Sequence, residues 1–189
     1  MQTHSWWAMV ILIAVDATIC ASFAFAHGHV SLMSVVCPPA GARLPAIGLD
    51  AASVAAWVLS ALLMEVARRW PLAQRSAISK FGLSAVASLA LVSAIAAFAT
   101  TAWGHMQAGL EPKANAWSAT VMTLVGYQGL HVLVIALMAA YLVARVWSGR
   151  LAPDARATLD NTVLFWQYTA LQGIATVALV QLLPRVMNG

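Results

Sequence analysis

The chain is made of long apolar runs separated by short segments that contain proline, glycine and charged residues. About 20 apolar residues are enough for a helix to cross the hydrocarbon core of a bilayer. Five such runs predict spanning helices over about 5–29, 49–70, 82–105, 116–147 and 160–183. The pattern therefore predicts an all-α integral membrane bundle of five transmembrane helices, in which residues 1–189 form a single transmembrane domain.

The third run is crowded with small residues, chiefly alanine and serine between residues 84 and 97. Small side chains at four-residue spacing let the backbones of membrane helices approach closely. We therefore expect this helix to be central in the bundle.

Composition agrees with the membrane interpretation, because 62% of the residues are hydrophobic and only 8% are charged. An ordinary soluble domain has about 25% charged residues. The net charge of +4 is small and dispersed, which argues against binding to nucleic acid. The two cysteines form no CxxC pattern or cysteine–histidine cluster, so the sequence predicts neither a disulfide framework nor a zinc site.

The basic residues predict the orientation of the helices. Cytoplasmic loops of membrane proteins carry an excess of lysine and arginine. Seven of the ten basic residues lie near the second and fourth connections, namely Arg68, Arg69, Arg75, Lys80, Arg145, Arg150 and Arg156. We therefore expect a cytoplasmic N-terminus and a C-terminus outside.

One carboxylate, Asp16, lies near the middle of the first predicted span. A charge at this depth costs roughly 3 kcal/mol or more unless a partner receives it. His131 lies at a similar depth in the fourth span, with Gln128 three residues earlier on the same helix face. The sequence predicts that Asp16 and His131 pair, either to lock two helices or as a functional intramembrane site.

The remaining polar residues have simpler interpretations. We expect Gln128, Gln167 and Gln172 to form hydrogen bonds between helices. Glu65 lies near the cytoplasmic end of its span, where Arg68 and Arg69 are expected to offset its charge. No nucleotide-binding motif, catalytic triad or paired catalytic carboxylates are present, so no catalytic residue is predicted.

Three histidines lie towards the outer ends of spans. His27 and His29 close the first span and are expected to face the lipid headgroups, and His105 ends the third span on the same side. A zinc site there would lack further ligands of fitting type and depth. We therefore predict no metal or cofactor bound by this chain.

Several segments resemble subunit III of the haem–copper respiratory oxidases. Residues 6–22 resemble the first helix of that family's five-helix core, in which a carboxylate, usually Glu, stands where this chain has Asp16. Pro38-Pro39 resembles the family's proline-rich loop. Residues 110–116 and 124–132 are similar to its most specific signature, and residues 165–168 fall where the last helix usually reads aromatic-Trp-His-Phe.

The chain also departs from the family pattern. The family usually has His where Gln128 stands, and often His where Gln167 stands. Glutamine keeps hydrogen-bonding capacity but does not titrate, which weakens any idea of proton relay at these two positions. Longer family members have two further helices before this five-helix core, and these helices help to form a lipid-filled cleft.

The resemblance implies a non-catalytic subunit in a bacterial cytoplasmic membrane. It would bind catalytic subunit I, share a complex with subunit II, hold phospholipid and sustain proton uptake. Haem and copper would lie in the catalytic partner, which reduces oxygen and pumps protons, and the electron donor would be cytochrome c or quinol. Two alternatives remain open: a similar partner of nitric oxide reductase, and a small proton-linked transporter or channel that uses Asp16 and His131.

Overall fold

The computed structural model describes residues 4–34, 36–39, 42–70, 77–151 and 156–187. These residues form five helices and no strand: α1 His4–Met33, α2 Ile47–Arg68, α3 Ala77–Gln107, α4 Ala116–Trp147 and α5 Ala157–Met187. All five are long and apolar enough to cross a membrane. The predicted all-α, five-helix architecture is therefore confirmed. The bounds of α4 are those predicted, and the other bounds differ by no more than five residues.

Successive helices run in opposite directions, which gives the bundle two distinct ends. The arginine end holds Arg68 as the last residue of α2 and Arg69 directly after it, Arg145 in the last turn of α4, and Arg156 before α5. The histidine end holds the C-terminal parts of α1 and α3, with His29 shortly before the end of α1 and His105 in the last turn of α3. Arg75 lies outside the described residues, and Lys80 lies in the first turn of α3 at the arginine end.

The most enclosed helix is α5, which contacts α1, α2, α4 and, less closely, α3. Of its most apolar segment, 56% is buried in the bundle, against 33% for α3. The expectation that the third helix is central was therefore wrong. The small residues of α3 allow close approach to one neighbour, α2, while side chains such as Val92 and Leu89 on the opposite side are exposed.

The seam between α2 and α3 is the closest helix contact of the fold. On the α3 side it consists of fully buried alanines, Ala87, Ala90, Ala94 and Ala97. Serine hydroxyls cross the seam and donate to backbone carbonyls: Ser60 to Ala90 at 2.7 Å, Ser93 to Ala56 at 2.8 Å, and Ser53 to Ala97 at 2.8 Å. These bonds require the short interhelical distance that the alanines permit.

Helix α1 lies on the outside of the bundle, and among the described helices it contacts only α4 and α5. Its two fully buried residues, His27 and Ser31, are both polar. Its large apolar side chains, such as Ile11, Leu12 and Val15, are more than half exposed in the bundle. The attachment of α1 to the bundle therefore depends on polar contacts to an unusual degree.

Candidate functional site

The principal polar site lies midway along the bundle, where α1, α4 and α5 meet. The carboxylate of Asp16 in α1 receives three protein groups: the Tyr127 hydroxyl at Oδ1 (2.5 Å), the Tyr168 hydroxyl at Oδ2 (2.5 Å), and His131 Nε2 at Oδ2 (2.9 Å). Tyr127 and His131 belong to α4, and Tyr168 belongs to α5. The structure thus brings Asp16 and His131 together and adds two phenols. We call these four residues the Asp16 cluster.

The hydrogen bond of His131 Nδ1 determines how many protons the Asp16–His131 pair carries. His131 Nδ1 lies 2.9 Å from the carbonyl oxygen of Tyr127, and a carbonyl only accepts, so Nδ1 must carry a proton. Nε2 then faces Asp16 either as a protonated donor to a carboxylate or as an acceptor from a carboxylic acid. Both arrangements place one proton between Nε2 and Oδ2, and both leave the pair with zero net charge.

Aromatic packing holds the imidazole of His131 in place. Its ring stacks on Phe165 with a centroid separation of 5.8 Å and meets Tyr127 edge-on at 4.7 Å. The His131 side chain is 4% exposed and that of Asp16 is 19% exposed. The acid–imidazole pair is therefore largely withdrawn from the bundle surface, although the carboxylate keeps some exposure on the α1 side.

The local sequence of α4 explains part of this geometry. Tyr127 and His131 are four residues apart, so both project from the same helix face. Gly129, between them, clears room for Phe98 of α3, because a Cβ at Gly129 would lie 2.9 Å from the Phe98 ring. Gly126 has no described atom within 4 Å of such a Cβ, so of these two glycines only Gly129 makes room for a described neighbour.

The three glutamines lie apart from the Asp16 cluster. Gln128 of α4 donates to the carbonyl of Thr169 in α5 (3.1 Å), and Gln167 of α5 donates to the carbonyl of Ala61 in α2 (2.9 Å). Gln172 is buried, and its Oε1 has no hydrogen-bond partner among the described residues. Two of the three therefore bridge helices through a backbone carbonyl, and no hydrogen bond links Gln128 to His131 in the described part of the chain.

Glu65, Arg68 and Arg69 form one ion-pair cluster at the arginine end. The Glu65 carboxylate accepts from Arg68 Nε and Nη2 (both 2.7 Å) and from Arg69 Nε (2.8 Å). The guanidinium of Arg156 also donates to the carbonyl of Arg68. The arginine side chains are half or more exposed. Such pairs contribute about 0–1 kcal/mol each, so this cluster adds little to the stability of the bundle.

Sequence reasoning missed four polar partners. Tyr127 and Tyr168 were not expected to donate to Asp16, although a carboxylate with four lone-pair positions needs more donors than one imidazole. It also missed a second buried carboxylate, Asp50 at the start of α2, which accepts from the amide of Gln181 in α5. Asp50 occurs in a first helical turn, where acidic residues are usual, so nothing in the sequence indicates that it is buried.

The histidine end differs from expectation at one residue. His29 is exposed as expected, but His27 is fully buried, and its Nδ1 lies 2.9 Å from the Thr120 hydroxyl of α4. The prediction that His27 faces the headgroups was therefore wrong. Within the described ranges no three potential ligands among His, Cys, Asp and Glu come close enough to hold a metal ion.

Comparison with known proteins adds no identification. No protein-family model matches the chain, and no curated protein matches it significantly. The functional interpretation therefore depends on the residues and geometry of the chain itself.

Proposed function

We propose that the chain is a non-catalytic accessory subunit, of the subunit III type, in a proton-pumping haem–copper terminal oxidase. In this proposal subunit I is its main contact, and subunit II belongs to the same complex. The chain also holds phospholipid. Haem and copper lie in the catalytic partner, which reduces oxygen to water. The arginine end faces the cytoplasm of a bacterial inner membrane, in agreement with the positive-inside rule.

The observation that carries the proposal is the composition of the Asp16 cluster. Three segments, residues 6–22, 124–132 and 165–168, resemble the oxidase family separately and are far apart in the sequence. In the fold they meet at one point, where Asp16 contacts His131, Tyr127 and Tyr168. Segments that carry the resemblance by accident would have no reason to converge on the carboxylate that the family also has.

The geometry supports a role in holding shape and sustaining the partner. The Asp16–His131 pair is net neutral and makes its contacts with protein groups, so it ties α1 to α4 and α5 without exposing a full charge to lipid. Gln128 and Gln167 donate to backbone carbonyls and do not titrate, so they offer no proton relay. Support of proton uptake by the complex would then come from the stability that this subunit gives to subunit I.

Affinity purification tests the proposal directly. The full chain is tagged, purified in mild detergent from its native membrane, and a reduced-minus-oxidised optical spectrum of the complex is recorded with a metal analysis. We expect A-type haem with copper, or B-type haem with copper for a quinol oxidase. Asp16→Leu should reduce the haem recovered per tagged chain, whereas Val15→Ala, an exposed neighbour on α1, should not.

The other outcomes contradict the oxidase assignment in different ways. B-type haem with non-haem iron and no copper would make the chain a partner of nitric oxide reductase. A folded, colourless chain recovered alone would overturn the subunit proposal and favour a proton-linked transporter centred on Asp16. Circular dichroism of the same sample separates a folded solitary chain from one that has merely unfolded during purification.

A further inference from the structure

A second group of buried polar atoms lies at the histidine end, away from the Asp16 cluster. Four side-chain atoms there have no hydrogen-bond partner among the described residues: His27 Nε2, Ser31 Oγ, His105 Nδ1 and Trp117 Nε1. All four side chains are 5% exposed or less. A buried polar group without a partner costs about 1–3 kcal/mol, so four of them in one region call for an explanation.

The four residues come from three helices and lie at the same end of the bundle. The Trp117 ring of α4 lies 5.8 Å from the His27 ring of α1, measured between centroids. Ser31 follows His27 by one helical turn and shares its face. His105 of α3 lies within electrostatic range of His27, although α1 and α3 have no close backbone contact. The two imidazoles are therefore both buried at the same end of the bundle, on helices whose backbones do not meet.

Hydrogen bonding determines which atom of His27 faces this space. The Thr120 hydroxyl donates its single proton to the carbonyl of Trp117 (2.8 Å). It must therefore accept from His27, whose Nδ1 lies 2.9 Å away and carries the proton. In the neutral imidazole Nε2 then presents a lone pair without a partner. The tautomer is thus set by Thr120 and leaves an acceptor pointing into a buried region.

The mixture of donors and acceptors identifies the ligand. His27 Nε2 accepts only, the Trp117 indole N–H donates only, and the Ser31 hydroxyl does either. A metal ion satisfies lone pairs but offers nothing to an indole N–H. Water both donates and accepts, and buried waters typically make about three hydrogen bonds to polar groups that lack protein partners. We propose that ordered water occupies this site and joins His27, Ser31, His105 and Trp117.

The bound water has a structural consequence for the bundle. It supplies the polar connection between α1 and α3, whose backbones do not meet, and it places two imidazoles at one hydrated site at the histidine end. The Asp16 cluster solves the same problem in the opposite manner, because both nitrogens of His131 bond directly to protein groups. The proposal is independent of the oxidase assignment.

Water-edited solid-state NMR tests the proposal on the full chain in lipid bilayers. The chain is labelled with ¹⁵N-histidine, its five histidines are assigned by sequential correlation, and magnetisation is transferred from water to each ring. We expect rapid build-up at His27 and His105, comparable to that of exposed His29, and slow build-up at His131. The His27 spectrum should show a protonated Nδ1 and an unprotonated Nε2.

Each alternative result overturns the proposal. Build-up at His27 and His105 as slow as at His131 would mean a dry site. A protonated Nε2 on His27 would remove the lone pair on which the ligand assignment depends. A shift of both histidine signals on addition of Zn²⁺ alone would identify a metal site instead. The Trp117→Phe variant, which keeps an aromatic ring but loses the N–H, should reduce the water transfer to His27.

Discussion

Two parts of this bundle attach helices by opposite means. The α2–α3 seam spreads its contacts along the helices, through a row of buried alanines and three serine-to-carbonyl hydrogen bonds. Helix α1 instead depends on two polar points, the Asp16 cluster at its middle and His27 near its end. Its apolar side chains, including Met9, Ile13 and Phe23, pack only partly against the bundle.

The difference follows from the solvent. In a membrane, apolar side chains gain little by leaving lipid for protein, so close packing and hydrogen bonds hold helices together. The α2–α3 seam is held by many packing contacts between small residues, and no single side chain dominates it. The peripheral helix α1 makes few packing contacts, so hydrogen bonds of a buried polar cluster attach it to the bundle. We therefore expect the loss of a single polar side chain to weaken the attachment of α1. We expect larger side chains to destabilise the α2–α3 seam.

The largest effect is expected from overfilling the seam. Ala94→Leu places three extra carbon atoms where α3 meets α2, at a residue that is fully buried. Overpacking a well-packed interior costs typically 1–3 kcal/mol, and more where a backbone must move. Thermal melts of the full chain in mild detergent should show a large fall in the midpoint, together with a low folded yield in size-exclusion chromatography.

Ala96→Leu is the matched control, because Ala96 is exposed on the opposite side of the same helix. This variant should melt like the parent chain. Equal melting of the Ala94 and Ala96 variants would contradict the view that the seam depends on the small size of its residues.

Removing the carboxylate of α1 should have the next largest effect. Asp16→Leu leaves the Tyr127 and Tyr168 hydroxyls without their acceptor and His131 Nε2 without its partner, at a cost of about 2 kcal/mol. Asp16→Asn keeps one acceptor oxygen and should lose less than half as much. The thermal midpoint of each variant measures the difference. Leu and Asn variants of equal stability would show that Asp16 does not hold α1.

The comparison also explains which features the sequence predicts well. The five spans follow from run length alone, and the depth of Asp16 and His131 within their spans indicates their pairing. The small residues of α3 indicate that another helix approaches closely, but they do not indicate how many helices surround α3. The expectation that α3 is central was wrong for this reason, because a central position depends on how all five helices assemble.

Helix rotation accounts for the remaining differences at the site. His27 and His29 are two residues apart, which is about 200° around a helix, so only one of them can face the bundle. The apolar residues around them give no periodic signal to choose between the two. Tyr127 and Tyr168 are similar cases, because the hydroxyl of a tyrosine lies far from its backbone. A small rotation of α4 or α5 decides whether that hydroxyl reaches Asp16.

The smallest effect is expected from removing a single phenol of the Asp16 cluster. Tyr168→Phe deletes one donor to Oδ2 and keeps the ring, so it should cost about 1 kcal/mol. Tyr141→Phe is the control, since Tyr141 is exposed and only accepts a long bond from Arg145 (3.3 Å). Its thermal midpoint should not change. If Tyr168 acts through the carboxylate, Tyr168→Phe should cost much less in an Asp16→Leu background, where no acceptor remains. An equal cost in both backgrounds would mean that Tyr168 stabilises α5 by other contacts, and that Asp16 is held by His131 and Tyr127 alone.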